Sequence, residues 1–389
     1  MKRARGLFEQ IVSEGNLSGA IDEVNRTHRW RPGHRPNPCT AWVEETKPER
    51  VRELRRIILS GFEETPPKVK RRWDPSAGKW REISEPAQWP DQYVHHALIR
   101  VLQPVMMRGM DRLCCGSIRG RGPHYAKRHL SKWLSHDPKG TRWCLSCDIR
   151  HFSDTLEPSV VMERMRRLVK DRRALDLIWR VARGGIRIGA YTSQWFANTA
   201  LQPLDSLIRQ SGLCSHYIRY MDNMTMLGAN KRKLHKLRRL MAEWLEGHGL
   251  ALKGDWQVFP VLSERCRGGR LVDAVGYRHG RGWSIPRKRT LLRIKRGIAR
   301  ARRKWGRGLE VPCRSAAGLL SRIGILTHCS NYSLYHMLYR GERVARRLKR
   351  VVSQARKGGL LAWSTYLEQR EELRLSGRRE GSTQALAAS

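Results

Sequence analysis

The stretch 217-YIRYMDNMTML-227 sets one acid and one amide, Asp222 and Asn223, between two apolar and aromatic runs. Such runs around a short polar pair read as a β-hairpin with Asp222 and Asn223 in its turn. A second isolated acid lies upstream, where the short apolar strand of 142-RWCLSCDIRHF-152 ends at Asp148. Between the two acids run helical spacing over 157–182, the Gly-rich loop 183-RGGIRIGAYTSQ-194, and a helix capped by Thr192 or Ser193. Strands that end in carboxylates, on a sheet backed by helices, can gather those acids at one edge. Two ordinary turn aspartates are the plainer reading.

Charge favours the chemical reading. The 389 residues hold 77 Lys plus Arg against 35 Asp plus Glu, a formal charge of +42 spread along the whole length. Self-repulsion on that scale calls for a polyanionic partner, DNA or RNA. A hydrophobic content of 40% marks the chain as globular. Two carboxylates beside a bound polyanion suit a pair of Mg²⁺ ions about 4 Å apart, as in phosphoryl transfer, and Mg²⁺ needs only one or two carboxylates besides substrate phosphates.

No window is long and apolar enough for a membrane span, and the opening MKRARGLFEQ has charge without an apolar segment behind it. A cytosolic setting and reduced thiols are therefore expected of the nine cysteines. Cys144 and Cys147 form a CxxC on a strand, which reads as core packing before zinc; His328, Cys329 and His336 are discounted likewise.

Other segments fill out the plan. Residues 1–45 form a basic N-terminal extension, of which 1–40 end in the loop-like RWRPGHRPNP, and 47–62 have helical spacing. A hairpin over 69–84 turns at Pro-Ser-Ala-Gly, and 91–107 look helical. Leu234, Leu237, Met241 and Leu245 mark a helix over 230–249, and 271-LVDAVGYRHGRGWSIPRK-288 reads as another hairpin. The remainder to about 365 is helical and basic, and 366–389 read as a tail.

In this order the motifs resemble those of bacterial reverse transcriptases over roughly 60–350. GKWREISEP resembles the fingers motif whose basic pair, here Lys79 and Arg81, reaches the nucleotide phosphates. CGSIRGRGPHYA resembles the basic segment after it, and CDIRHF the first catalytic motif, giving Asp148. IGAYTSQWFAN resembles the loop–helix under template and nucleotide, with Gly189, Ser193, Gln194 and Asn198; YMDN resembles the Tyr-x-Asp-Asp box, with Tyr220 near the primer end. LKGDWQVFPV and VGYRHGRGW resemble the later palm strand, with Lys253, and the primer grip, with Gly276. Ile-Gly-x-x-x-Ser-Gln is similar to diversity-generating retroelement enzymes; the alternative subgroup is the prophage and defence-associated set, some of which make DNA of simple sequence.

The resemblance implies an α+β right-hand polymerase: fingers 46–143, a palm 144–284 with an antiparallel sheet backed by helices, and a helical basic thumb 285–365. It implies a bacterial or prophage-encoded RNA-directed DNA polymerase using dNTPs, an RNA template or structured RNA, a DNA product and an accessory protein. Asp148, Asp222 and the Ile149 backbone would hold two Mg²⁺, with Mn²⁺ as a substitute; Lys253 would protonate pyrophosphate. Two departures stand out. Asn223 replaces the second Asp of the box. Ser153 follows Phe152 where the family has a second aromatic that excludes a ribose hydroxyl. Asp154 is a candidate for the missing acid, and a catalytically inactive RNA-binding scaffold is the competing reading.

Overall fold

The computed structural model describes residues 2–29, 37–74, 78–264, 266–330 and 344–359, with 363, 367–369 and 371 beyond them. The stretch 30–36, the hairpin turn 75–77, the Lys79 side chain, His336 and almost all of the tail expected over 366–389 lie outside it.

At the centre is an antiparallel four-stranded sheet in the order β4-β5-β3-β6: β3 Trp143–Asp148, β4 His216–Tyr220, β5 Asn223–Gly228 and β6 Gln257–Pro260. Asn223 opens β5, opposite Tyr220 on β4 and opposite Asp148 on β3, so the turn consists of Met221 and Asp222, one residue earlier than the pattern suggested. Met221 takes the left-handed conformation, φ 57°.

Alternation along the strands decides what each face meets. One face carries Leu145, Cys147, Tyr217, Met224 and Met226 into the main core, with Leu234, Leu237, Met241 and Leu245 of α12 (Lys231–Glu246) and Trp195 and Phe196 of α10 (Tyr191–Ala200). Among the described residues, the other face is covered over its distal half only. There Cys144, Ile218, Leu227 and Phe259 meet Leu130 and Leu134 of α6 (Pro123–His136) and Val272 of β7 (Val272–Ala274). The near half of this face holds Tyr220, Asn223, Asp148 and Gln257, none of them buried. Cys144 and Cys147 therefore point into different cores and cannot share a metal ion.

Around the main core pack α1 (Leu7–Ile11), α2 (Glu14–His28), α3 (Pro38–Glu45), α4 (Lys47–Leu59) and α5 (Tyr93–Met107). The helix expected over 157–182 is two, α8 (Pro158–Leu168) and α9 (Arg172–Ala182). Asp171 caps the second by accepting from the Ala174 N–H, and Val169 is diverted into a bridge with Ala4. Nor do Thr192 and Ser193 cap α10: the N-cap is Ala190, and both hydroxyl residues are buried inside the first turns.

Two further β elements flank the sheet. β1 (Lys68–Asp74) and β2 (Lys79–Glu85) form an exposed ribbon. β7, β8 (Tyr277–His279) and β9 (Ser284–Pro286) form a meander, one strand more than the expected hairpin. Its first turn, Val275–Gly276, has both φ values positive, 47° and 89°. Beyond it, α13 (Lys288–Gly306), α14 (Cys313–Ile323) and a helix over 344–359 close on their own core of Ile294, Ile298, Leu319, Ile323 and Leu348. No helix among the described residues is long and apolar enough to cross a membrane.

Candidate active site

Asp148 ends β3 and Asp222 sits in the β4–β5 turn, and backbone pairing fixes their meeting. The Ile149 N–H donates to the Asp222 carbonyl at 3.3 Å, while the Asp148 carbonyl accepts from the Lys253 N–H at 2.8 Å. Ile149 bridges Leu252 in the pairing that leaves its own N–H and C=O facing the Asp222 side.

The two carboxyls are within hydrogen-bonding reach. Burial pushes Asp148 up to about 7, and the charge and hydrogen bond of Asp222 add to it; Asp255 pushes the same way and Lys253 opposes. One carboxylate oxygen of Asp148, Oδ1, is buried with no hydrogen-bond partner among the described residues. An orphaned hard oxygen beside a second carboxylate and an Ile149 carbonyl facing the same side fits a divalent cation of the Mg²⁺ kind.

Asn223 is exposed on the same edge, where its Nδ2 donates to Asp222 Oδ1 at 3.2 Å. It steadies Asp222 and adds no charge opposite Asp148. Tyr220 packs at the rim of the smaller core beneath this edge. Lys253 is exposed and bonds Asp255 at 2.6 Å; its ammonium is held protonated to higher pH by Asp255 first, with Asp148 and Asp222 contributing.

The other expected site residues divide into surface and core. Arg81 is partly exposed on the ribbon and bonds Asp74 at 2.8 Å. Gln194 is exposed on α10, and Ser153 is half-exposed on the short α7 (Phe152–Thr155). Phe152 is 5% exposed inside the main core, because the tight turn after His151 (φ 49°) directs it inward. No aromatic face is presented by 152 or 153. Ser193 and Asn198 are also buried, so neither offers a template contact from this position.

Gly189 serves packing. Its φ is 121°, and a Cβ there would sit 2.7 Å from the Ser84 carbonyl, at the point where the Ser84 N–H bonds Ile188. Gly276 forms the meander turn, its carbonyl accepting from the Arg287 N–H. Asp154 lies on the surface, nearest His151. The third acid felt by Asp148 is instead Asp255, two residues before β6 begins, at the end of Leu-Lys-Gly-Asp. It was passed over, its only signal being closeness to Lys253. Missed as well was Arg219, fully buried inside the opening motif. A charged residue inside an apolar strand was the available sign.

Residues 67–255 match the family model described as reverse transcriptase (RNA-dependent DNA polymerase). This segment contains both acids and is similar to reverse transcriptase domains, and the chain has the α+β right-hand polymerase fold. Among curated proteins, the chain is 24% identical over 280 residues to Protein YkfC of Escherichia coli (strain K12), covering 66% of this chain and 69% of that one. It is 31% identical over 105 residues to nuclear intron maturase 1, mitochondrial, of Arabidopsis thaliana, covering 26% of this chain and 14% of the relative. Solved structures similar to it include telomerase from Candida albicans in complex with a fragment of telomeric RNA (12% identity, TM-score 0.43, 79% of this chain and 64% of that one). Apo telomerase from Candida tropicalis is another (10% identity, TM-score 0.45, 88% and 68%).

Proposed function

We propose that the chain is an RNA-directed DNA polymerase that extends a primer by nucleotidyl transfer. The observation that carries this reading is the meeting of Asp148 and Asp222 on the uncovered edge of the sheet, with one buried oxygen left unsatisfied. Asp148, Asp222 and the Ile149 carbonyl would hold Mg²⁺ ions, or Mn²⁺ in their place, which supply charge stabilisation to the phosphoryl oxygens.

The remaining roles belong to the chain. The primer 3′-oxygen forms a bond to the α-phosphorus as the bond to the β-phosphate oxygen breaks; the hydroxyl proton leaves to solvent. Lys253, bonded to Asp255 and held protonated chiefly by it, donates a proton to the departing pyrophosphate. Arg81, with Lys79, holds the triphosphate after exchanging Asp74 for phosphate oxygens. Tyr220 and Gln194 border the primer and nucleotide, and Gly276 shapes the turn beside the primer strand. Because no ring stands at Ser153, selection against a ribose 2′-hydroxyl is loose.

The segments expected as fingers (46–143), palm (144–284) and thumb (285–365) divide the work. The exposed Arg296, Arg300 and Arg303 of α13 line up opposite its buried Ile294 and Ile298 and track a duplex backbone. We place the enzyme with diversity-generating retroelements on its Ile-Gly-x-x-x-Ser-Gln motif, acting in a bacterial cytosol on a template RNA with a partner protein. A defence-associated role, or an inactive scaffold, would show in the same test. Primer extension on an RNA template by wild type, Asp148→Ala and Asp222→Ala decides it. Metal-dependent cDNA lost in both variants is expected; extension equal in all three, or absent from the wild type while RNA still binds, overturns it. Sequencing the product separates gene copying from simple-sequence synthesis.

A further inference from the structure

Arg219 is wholly buried on β4, in the strand that delivers Asp222, and its face of the strand is the one opposite the acids. Its Nε and Nη2 donate to the two oxygens of Asp205 at 2.8 and 2.6 Å, and the Tyr217 hydroxyl donates to the same carboxylate at 2.6 Å. The remaining terminal nitrogen, Nη1, divides between the Asn198 side-chain oxygen and the Met221 carbonyl, both at 3.0 Å. That carbonyl belongs to the peptide joining Met221 to Asp222, so the orientation of the acid's own peptide plane is set by the guanidinium.

Two other contacts close the arrangement. Asn198 Nδ2 donates to the Gly116 carbonyl at 2.8 Å, and the Cys115 N–H donates to the Arg219 carbonyl at 2.8 Å. Gly116 lies so near the turn that a Cβ would fall 2.6 Å from Met221 Cγ and 2.7 Å from the Met221 nitrogen. Met221 is held left-handed between these supports, a conformation an unbranched non-glycine side chain keeps only when its surroundings fix it.

A buried ion pair is poor evidence of stability, because replacing it with apolar residues is often neutral. Positional specificity is a better explanation here. The pair's one donor beyond Asp205 and Asn198 goes to the turn that carries an active-site acid.

Resting on the polymerase reading, we infer that Arg219, fixed by Asp205 and Asn198 and seated against Gly116, is a positioning residue that sets the Asp222 carboxylate relative to Asp148. The cluster determines metal affinity at the acid pair without touching the metal or the substrate. Three of its four members come from separate motifs: Gly116 from the basic Gly-rich segment, Asn198 from the Ser-Gln helix, and Arg219 from the hairpin. This gives Asn198 a task that its burial otherwise denies it.

The test compares wild type with Asn198→Ala, Arg219→Lys and Gly116→Ala. Mn²⁺ binding is read by electron paramagnetic resonance without substrate, normalised to the folded fraction from a thermal melt, and paired with steady-state primer extension. Expected are a Kd for Mn²⁺ weaker by tenfold or more per folded molecule and a matching rise in the metal midpoint of activity. The KM for dNTP stays within twofold, since the Arg81 side of the site is untouched. Wild-type Kd per folded molecule in these variants overturns the inference, and so does metal binding that falls only in step with unfolding. A wild type that binds Mn²⁺ through these acids yet extends no primer overturns the polymerase reading and leaves the positioning result standing.

Discussion

Substituting Asn223 by Asp restores the acid that the Tyr-x-Asp-Asp pattern leads one to expect, and the register predicts the consequence. Residue 223 lies directly opposite Asp148 in the β3–β5 ladder, where cross-strand side chains stand about 5 Å apart. Two unit charges at that separation repel by about 0.8 kcal/mol at the permittivity of water and by about 3 kcal/mol at the effective value near a protein surface. Asn223 is exposed and Asp148 half-buried, so a figure of about 1–2 kcal/mol is appropriate. The new carboxylate also loses the amide donation to Asp222. Without metal, Asn223→Asp is therefore less stable by about this amount, and the proton on Asp148 is held to higher pH. With a divalent ion bound, the attraction to a double charge is about twice the repulsion from one carboxylate. The net gain is about 1–2 kcal/mol, near tenfold in affinity. Thermal melts at low salt with and without Mg²⁺, together with the Mg²⁺ midpoint of primer extension, measure both effects. A metal-free melt and a Mg²⁺ midpoint both equal to wild type would refute the electrostatic reasoning; a lower midpoint with an unchanged melt would refute the repulsion alone.

Other outcomes follow from named contacts. Asp148 binds its proton more tightly folded than unfolded, so between about pH 4 and its folded value near 7 the native state holds the extra proton. Metal-free stability therefore falls as pH rises through that window, by about 1–2 kcal/mol after solvent screening, and melts of Asp148→Asn across pH 5 to 8 are expected to lack this slope. Ser153→Phe puts a ring beside the sugar, and dNTP over rNTP preference in single-nucleotide extension rises at least tenfold; equal discrimination sinks the proposal of loose selection. Gly189→Ala forces a Cβ against the Ser84 carbonyl at positive φ and lowers stability by about 1–3 kcal/mol in urea unfolding. Replacing Arg296, Arg300 and Arg303 together by Ala flattens the dependence of log K for duplex binding on log salt by about 3, measured by fluorescence anisotropy, with little change in sequence preference.

Strand alternation and carboxylate placement made the core of the site readable. Asp148 and Asp222 stood out because each was an acid at the end of an apolar run, and pairing brings them together. Errors cluster where local pattern competes with tertiary contact. Thr192 and Ser193 have the chemistry of helix caps, yet packing claims both and the helix starts at Tyr191. Helical spacing ran unbroken over 157–182, but Asp171 and the bridge to Ala4 cut it. Phe152 was placed by its motif at the nucleotide, and its backbone turns it into the core. Asp205 is beyond reach because nothing in the order of residues says which carboxylate folds back onto Arg219, and for Asp255 closeness to Lys253 is the one available sign.

The helical bundle formed by α13, α14 and the helix over 344–359 has an apolar core that shares no member with the two cores flanking the sheet. Its amides can therefore exchange with solvent on a schedule of their own, opening as one cooperative unit while the acid pair stays in register. For the primer-extending role proposed above, this separates grip from chemistry. Under that proposal, each translocation loosens the bundle and leaves the acid-bearing edge assembled for the next nucleotide.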